Sequence, residues 1–312
     1  MRLAIIGRSE YLYGAAEQLL AAGHELAAVV TAQHAPEYRR TADDFRALAR
    51  SCKAPFVHSP TLDSAECAAA FAQAGPIDLG VSVNFTGIVN QRDIDRFPFG
   101  ILNAHGGDLP RYRGNACSAW AILNGEPRIG LCIHRMIGGE LDSGDIVARA
   151  FRPLALADRI GEVLDWIGAE TPRLFVDAVA RLAEDPRYVL ERQSPNPADA
   201  LRCYPRQPSD GHIDWRQTNE QVLRLINASS EPYAGAFCFY EGERMTIWRA
   251  RLHVDDERYL AVPGQVAAID RATGSIVVTC GTGKLRITDV TYRGDRMPPA
   301  TFIASMRKRL HS

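Results

Sequence analysis

Apolar positions in the first half of the chain fall in short unbroken runs, separated by segments of helical period. "LAIIG" (3–7), "HELAAVVT" (24–31), "PFVH" (55–58), "IDLGVSVN" (77–84) and "GILNAH" (100–105) read as strands, and the stretches 11–22, 42–51, 63–73 and 90–96 read as helices. Near-continuous apolar strands belong to a sheet covered on both faces, since alternation is needed only where one face meets water. The βαβα order therefore predicts a mostly parallel sheet with helices on both sides. A helix over 117–125, strands over 129–137 and 145–153, and a long amphipathic helix over 159–183 complete this part.

The pattern then changes. "SPNPADALRCYPRQPSDG" (194–211) is dense in Pro, Ser and Asp and reads as a linker. One helix is expected at 218–228, followed by short strands with Gly-containing turns. Such spacing predicts a small antiparallel β unit. The expected class is α/β, with a Rossmann-like, mostly parallel N-terminal domain over 1–195 and a small OB-like antiparallel domain over 205–312.

Composition changes this picture little. The 312 residues are 46% hydrophobic and 23% charged, which supports packed cores and argues against disorder. A net charge of −1 offers no electrostatic case for nucleic acid or a membrane surface. No apolar run nears the ~20 residues of a membrane span, and the opening "MRLAIIG" reads as a strand and not a leader. Seven scattered Cys without a CxxC pair argue against a disulfide framework and fit a reducing cytoplasm. No His, Cys, Asp or Glu cluster has metal-ligand spacing, so no metal is expected.

The chemistry concentrates in "NAHGGDLPRYRG" (103–114). Asn103 and His105 are two apart at the end of an expected strand, so their side chains share one side. Open parallel sheets bind ligands beyond the carboxyl ends of their strands, where both would stand. An amide and a protonated imidazole both donate hydrogen bonds and together can hold a developing oxyanion. Asp142, in the Gly-flanked loop "GGELDSGDI", is the carboxylate available to support the His charge. Arg8 and Tyr11, in the first strand–helix turn, face the same ligand side and are candidate acceptor contacts. His134 on the apolar strand "LCIHRM" reads as structural, and Cys117 as a small buried thiol. Gly7 and Gly14 do not form GxGxxG, so no dinucleotide site is expected.

These segments together resemble the folate-dependent formyltransferase family, whose signature is Asn-x-His, a Leu-Pro-x-aromatic-basic-Gly loop, and Asp-x-Gly. The chain carries Asn103 and His105, "LPRYRG" (109–114) and Asp142-Ser143-Gly144 in that order, and "PRQPSDGHIDW" (205–215) and "EPYAGAFCFYEGERMTIW" (231–248) resemble the family's smaller second domain. The resemblance implies that an amine attacks the formyl carbon of 10-formyltetrahydrofolate, with Asn103, His105 and Asp142 catalytic. It implies folate-binding loops at 84–89 (Phe85, Thr86, Gly87, Ile88) and 137–142 (Gly139, Glu140, Leu141). Arg111, Arg113 and Arg206 are candidates for an acceptor phosphate, or anchors of the loop.

Three departures from the family pattern stand out, the first two at the acceptor side of the loop. Gly107-Asp108 stand where many relatives have Ser-Leu, Cys117 where Pro is usual, and Asn227 where many have Arg. The expected acceptor is a small amine, foremost a nucleotide-linked amino sugar. Ornithine or hydroxyornithine, methionyl-tRNA, and an inactive folate-binding module are the alternatives. Residues 205–312 carry fifteen Lys+Arg against twelve Asp+Glu, a weak positive charge for binding RNA, and 31–45 lacks a basic insertion. A homo-oligomer is left open.

Overall fold

A computed structural model describes all residues, Met1–Ser312. Its contacts divide the chain into two compact units. The first comprises Met1–Cys117, Arg128–Arg152 and Leu164–Cys203, and the second Ser118–Pro127, Pro153–Val163 and Tyr204–Ser312.

The first unit is laid out as β1 (Arg2–Gly7), α1 (Ser9–Ala21), β2 (Glu25–Thr31), α2 (Ala42–Ser51), β3 (Phe56–His58), α3 (Ala65–Ala74), β4 (Leu79–Val83), α4 (Gln91–Ile94) and β5 (Ile101–His105). A two-residue strand, β6 (Arg113–Gly114), precedes α5 (Cys117–Asn124), β7 (Arg128–Arg135), β8 (Ile146–Pro153), α6 (Ile160–Glu184) and a second short strand, β9 (Arg202–Cys203). The large sheet has the order β3-β2-β1-β4-β5-β7-β8. Strands β1 to β5 pair in parallel, and β7 runs antiparallel to β5.

Leu3, Ala4, Ile5 and Ile6 are all fully buried, as the unbroken apolar run requires. Helix α2 starts where Thr41 and Asp44 form a capping box, and α3 starts where the Ser64 side chain accepts from Cys67 N–H at 3.1 Å. The strand order reverses direction between β1 and β4, which opens a crevice at their carboxyl ends. There the two strands approach so closely that a Cβ on Gly7 would lie 2.0 Å from the Val83 carbonyl oxygen. Its φ of +126° also excludes other residues.

The stretch expected as a linker is partly ordered into the first unit. β9 pairs in parallel with β6, with Arg113 opposite Arg202 and Gly114 opposite Cys203. A two-residue strand leaves no periodic signal, and its neighbouring Pro and Ser residues hide it.

The second unit holds α7 (Asn219–Ser229) and the strands β10 (Ala236–Tyr240), β11 (Glu243–His253), β12 (Val266–Asp270), β13 (Ser275–Thr279), β14 (Lys284–Tyr292) and β15 (Asp295–Met297). They form an antiparallel six-stranded sheet, β10-β11-β14-β13-β12 with β15 on β14. Trp215, Ile226, Met245, Ile247, Ile276 and Ile287 centre its core. Helix α7 buries Val222, Leu223 and Ile226, residues at helical spacing, in that core. No helix of the chain is long and apolar enough to cross a membrane.

Candidate active site

Strand β5 projects Asn103 and His105 to one side, and antiparallel pairing sets His134 of β7 directly opposite Asn103. Asp142 reaches them from the turn between β7 and β8. That turn is tight because Gly144 packs its backbone on β7, where a Cβ would lie 1.9 Å from the Arg135 carbonyl oxygen. Asp142 itself sits at φ +49°, a left-handed conformation that Asp tolerates better than most residues.

The four side chains form one connected cluster. Asn103 Nδ2 lies 3.2 Å from His134 Nε2, and His134 Nε2 lies 3.4 Å from Asp142 Oδ1. Asp142 Oδ2 lies 3.4 Å from His105 Nδ1 and accepts the Gly114 N–H at 2.9 Å. A carbonyl can only accept, so the 2.7 Å contact of His105 Nε2 with Tyr112 O makes Nε2 the donor. By the same logic His134 Nδ1 donates to Arg135 O at 2.9 Å. His134 Nε2 can then accept from Asn103 when the ring is neutral, or donate to Asp142 when it is charged.

His105 and His134 are buried, at 7% and 2% exposure, while Asn103 and Asp142 are half-buried. Burial on its own would push the Asp142 carboxyl up. The charge of His105, the His134 hydrogen bond and charge, and the Gly114 N–H outweigh it and hold the group far below the usual carboxylate range.

A further layer fixes this geometry. Gln193 Nε2 donates to the carbonyls of Asp142 and Gly144 at 2.8 and 2.7 Å, and its Oε1 accepts from Arg113 Nη2 at 2.8 Å. Arg149 donates to Glu191 at 2.6 Å, to Cys132 Sγ at 3.3 Å and to the Leu109 carbonyl. His134 and Gln193 are the site residues that the sequence reading missed. A His on an apolar strand looks like core, and only the β5–β7 register reveals its partner. Gln193 lies in a stretch without pattern.

The acceptor-side candidates are dispersed. Arg8 donates to the carbonyls of Asn84 and Gln33 at 2.9 and 2.6 Å, with Tyr38 stacked 5.4 Å away, so it ties together loops at the carboxyl edge of the sheet. The Tyr11 ring packs on α6, where a Cβ at Gly168 would meet it at 3.0 Å. Arg111 is exposed beside the Tyr112 ring. Arg113 is held by Gln193. Arg206 donates to the carbonyls of Ala228 and Asp210 and to Ser229 Oγ within the second unit, at 3.2–3.4 Å. Arg113 and Arg206 each spend guanidinium donors on protein acceptors, while the buried Nε of each has no hydrogen-bond partner.

The departures find local partners too. Asp108 pairs with Arg128 at 3.3 Å, Cys117 donates to Tyr112 O at 2.9 Å, and Asn227 donates to Leu156 O at 2.9 Å.

The loops expected to hold folate meet each other. Gly139 N–H donates to Val89 O at 3.1 Å and Gly138 N–H to Gln91 Oε1 at 2.9 Å. Phe85 turns partly into the core beside Val57 and Leu62. Ile88 is 84% exposed, and Ile137 and Leu141 of the facing loop are exposed as well, while Thr86 and Glu140 lie in solvent. Exposed apolar side chains flanked by backbone donors and acceptors suit a flat, hydrogen-bonding heterocycle. No group of three or more His, Cys, Asp or Glu stands close enough to hold a metal ion.

Family models match both parts of the chain: "Formyl transferase" over residues 1–179 and "Formyl transferase, C-terminal domain" over 206–307. A methionyl-tRNA formyltransferase of Ruegeria pomeroyi is 32% identical across 94% of this chain and 93% of its own. One of Dechloromonas aromatica is 29% identical across 97% and 95%. Among solved structures, WlaRD, a sugar 3N-formyltransferase determined in the presence of dTDP and 5-N-formyl-THF, superposes with a TM-score of 0.66 at 16% identity. It covers 95% of this chain and 98% of its own.

Proposed function

The chain belongs to the formyl transferase family, and from that premise we propose that Asn103, His105 and Asp142 transfer the formyl group of 10-formyltetrahydrofolate to the primary amine of a nucleotide-linked amino sugar. The observation that carries the catalytic part is the Asp142 carboxylate held between two imidazoles, with Asn103 beside His134.

In this reading the neutral amine attacks the formyl carbon, and negative charge grows on the formyl oxygen. Asn103 Nδ2 supplies a donor for that oxygen, and the charged His105 ring, its N–H groups held by Asp142 and the Tyr112 carbonyl, supplies positive charge beside it. Asp142 is a poor base near neutrality because its carboxyl is held so low. Its part is to keep His105 charged and oriented; as the tetrahedral intermediate collapses the formyl carbon–N10 bond breaks, and the proton lost by the amine is returned through solvent to the departing folate nitrogen, releasing tetrahydrofolate and the formamide. His134 orients Asn103 from across the β5–β7 pair. The folate would lie along the apolar edge of the 84–89 and 137–142 loops.

The small-acceptor reading rests on charge. Residues 205–312 are only weakly positive. In the 31–45 segment, Arg40 stacks on Tyr13 at 4.1 Å and pairs with Asp44, so it is already engaged. The similarity to the methionyl-tRNA enzymes along nearly the whole chain favours tRNA as the second reading. The deciding experiment incubates the protein with 10-formyltetrahydrofolate and UDP-, dTDP- and GDP-linked amino sugars, ornithine, hydroxyornithine or methionyl-tRNA. Mass spectrometry then looks for one added formyl group. A nucleotide amino sugar is the expected product-former. Efficient formylation of methionyl-tRNA or of the free amino acids alone would overturn the proposal.

A further inference from the structure

His105 is held from two sides. Asp142 Oδ2 stands 3.4 Å from Nδ1, and the Tyr112 carbonyl stands 2.7 Å from Nε2. The second contact is unusual in how it is made room for. A Cβ on Gly107 would lie 2.4 Å from Tyr112 O and 2.6 Å from His105 Nε2. Any side chain at this position would push the carbonyl and the ring apart. Gly107 does not have a positive φ, so its missing side chain is required by this contact and not by backbone conformation.

We propose that Gly107 is a positioning residue for the formyl transfer, whose lack of a side chain lets the Tyr112 carbonyl accept a hydrogen bond from His105 Nε2. Both ring nitrogens then face acceptors, an arrangement that only the doubly protonated ring satisfies fully. Tyr112 O also accepts from Cys117 Sγ at 2.9 Å, so its two lone pairs are filled and the carbonyl is itself fixed. The groups around the ring are Asp142 from the β7–β8 turn, His134 of β7 at 6.2 Å between ring centroids, and Cys117 at the start of α5. Asp142 is the one anion among them, and the Tyr112 carbonyl is the one acceptor that depends on Gly107. The cradle thus readies a charged, oriented ring before substrate arrives, which is worth rate and not affinity.

This inference rests on His105 acting in the reaction as proposed above, and its test has a readout independent of turnover. Histidine-selective 15N labelling of the full chain reports which ring nitrogens carry protons. Wild type should show a protonated His105 Nε2 whose hydrogen exchanges slowly. An unprotonated Nε2 at neutral pH would overturn the proposal, whatever the variants do. In Gly107→Ala the ring loses its hydrogen bond to the Tyr112 carbonyl, so the Nε2 hydrogen should exchange about tenfold faster. The kcat should drop about ten- to a hundredfold, with KM for the folate donor within a few-fold. A folded Gly107→Ala protein whose His105 Nε2 hydrogen exchanges as slowly as in wild type would overturn it as well. If no tested amine is formylated, the acceptor reading fails while the His105 signature still stands or falls on its own.

Discussion

At the scale of single residues, the site is organised around one carboxylate and what it faces. His105→Ala and Asp142→Ala should each lower kcat by about a hundredfold or more, as for other lost oxyanion supports. Folate affinity, measured by equilibrium titration, should stay within a few-fold, because the charge they serve develops only as the amine attacks. A large affinity loss at near-normal kcat would contradict this assignment. Asn103→Ala should cost less, since the positive charge of His105 remains. Stability offers a second check on Asp142. Its carboxyl is held low in the folded chain, so its contribution is complete above the unfolded-state pKa of about 4 and fades as pH falls below it. Asp142→Asn should therefore be less stable than wild type at neutral pH. Denaturant titrations should show that gap narrowing progressively below pH ~4; a gap that stays constant into acid would show that the low carboxylate is not what stabilises the fold. Asn103 and His105 were legible because period-two alternation at a strand end needs no tertiary knowledge. His134 was not, because its partner is set by an antiparallel register that a βαβα pattern does not announce.

At the scale of elements, the catalytic turn is fastened to a segment that looks featureless in sequence. Gln193 clamps the Asp142 and Gly144 carbonyls and holds Arg113 of β6, while β9 pairs with β6. The parallel sheet, the long helix and the antiparallel second unit could be read from apolar periodicity, since each repeats its pattern over several residues. The β6–β9 pair could not, since two residues make no period. Gln193→Ala leaves two partly buried carbonyls and one guanidinium without this partner, a loss of about 1–3 kcal/mol. The expected result is a lower midpoint in thermal melts together with a reduced kcat, because the turn that carries Asp142 loosens. A normal melt with normal kcat would mean that the clamp does not hold the turn. His134→Ala acts on the other side of the same turn. Losing one hydrogen bond to Asn103, about 1 kcal/mol, corresponds to a roughly fivefold fall in kcat.

At the scale of the whole molecule, charge distinguishes the acceptor classes that the fold leaves open. The chain is at −1 overall, and its arginines at 113, 149 and 206 are spent on protein acceptors. Binding a folded RNA by its phosphates releases many counterions, so affinity falls steeply with salt. A protein making 6–10 phosphate contacts loses about 10³–10⁵ in affinity between roughly 50 and 200 mM salt. A nucleotide-linked sugar brings only a diphosphate, which one or two cations and some backbone N–H groups can hold. Arg111, exposed on the loop before β6, is the candidate cation to test for that contact. For such an acceptor, kcat/KM should fall by about tenfold or less over the same salt range, the response expected of about two phosphate charges. Arg111→Ala should raise KM for the nucleotide sugar while leaving KM for folate unchanged, and should flatten the salt response. A salt slope as steep as that of an RNA binder, or a slope unaffected by Arg111→Ala, would remove the argument from charge and return the acceptor to the tRNA reading.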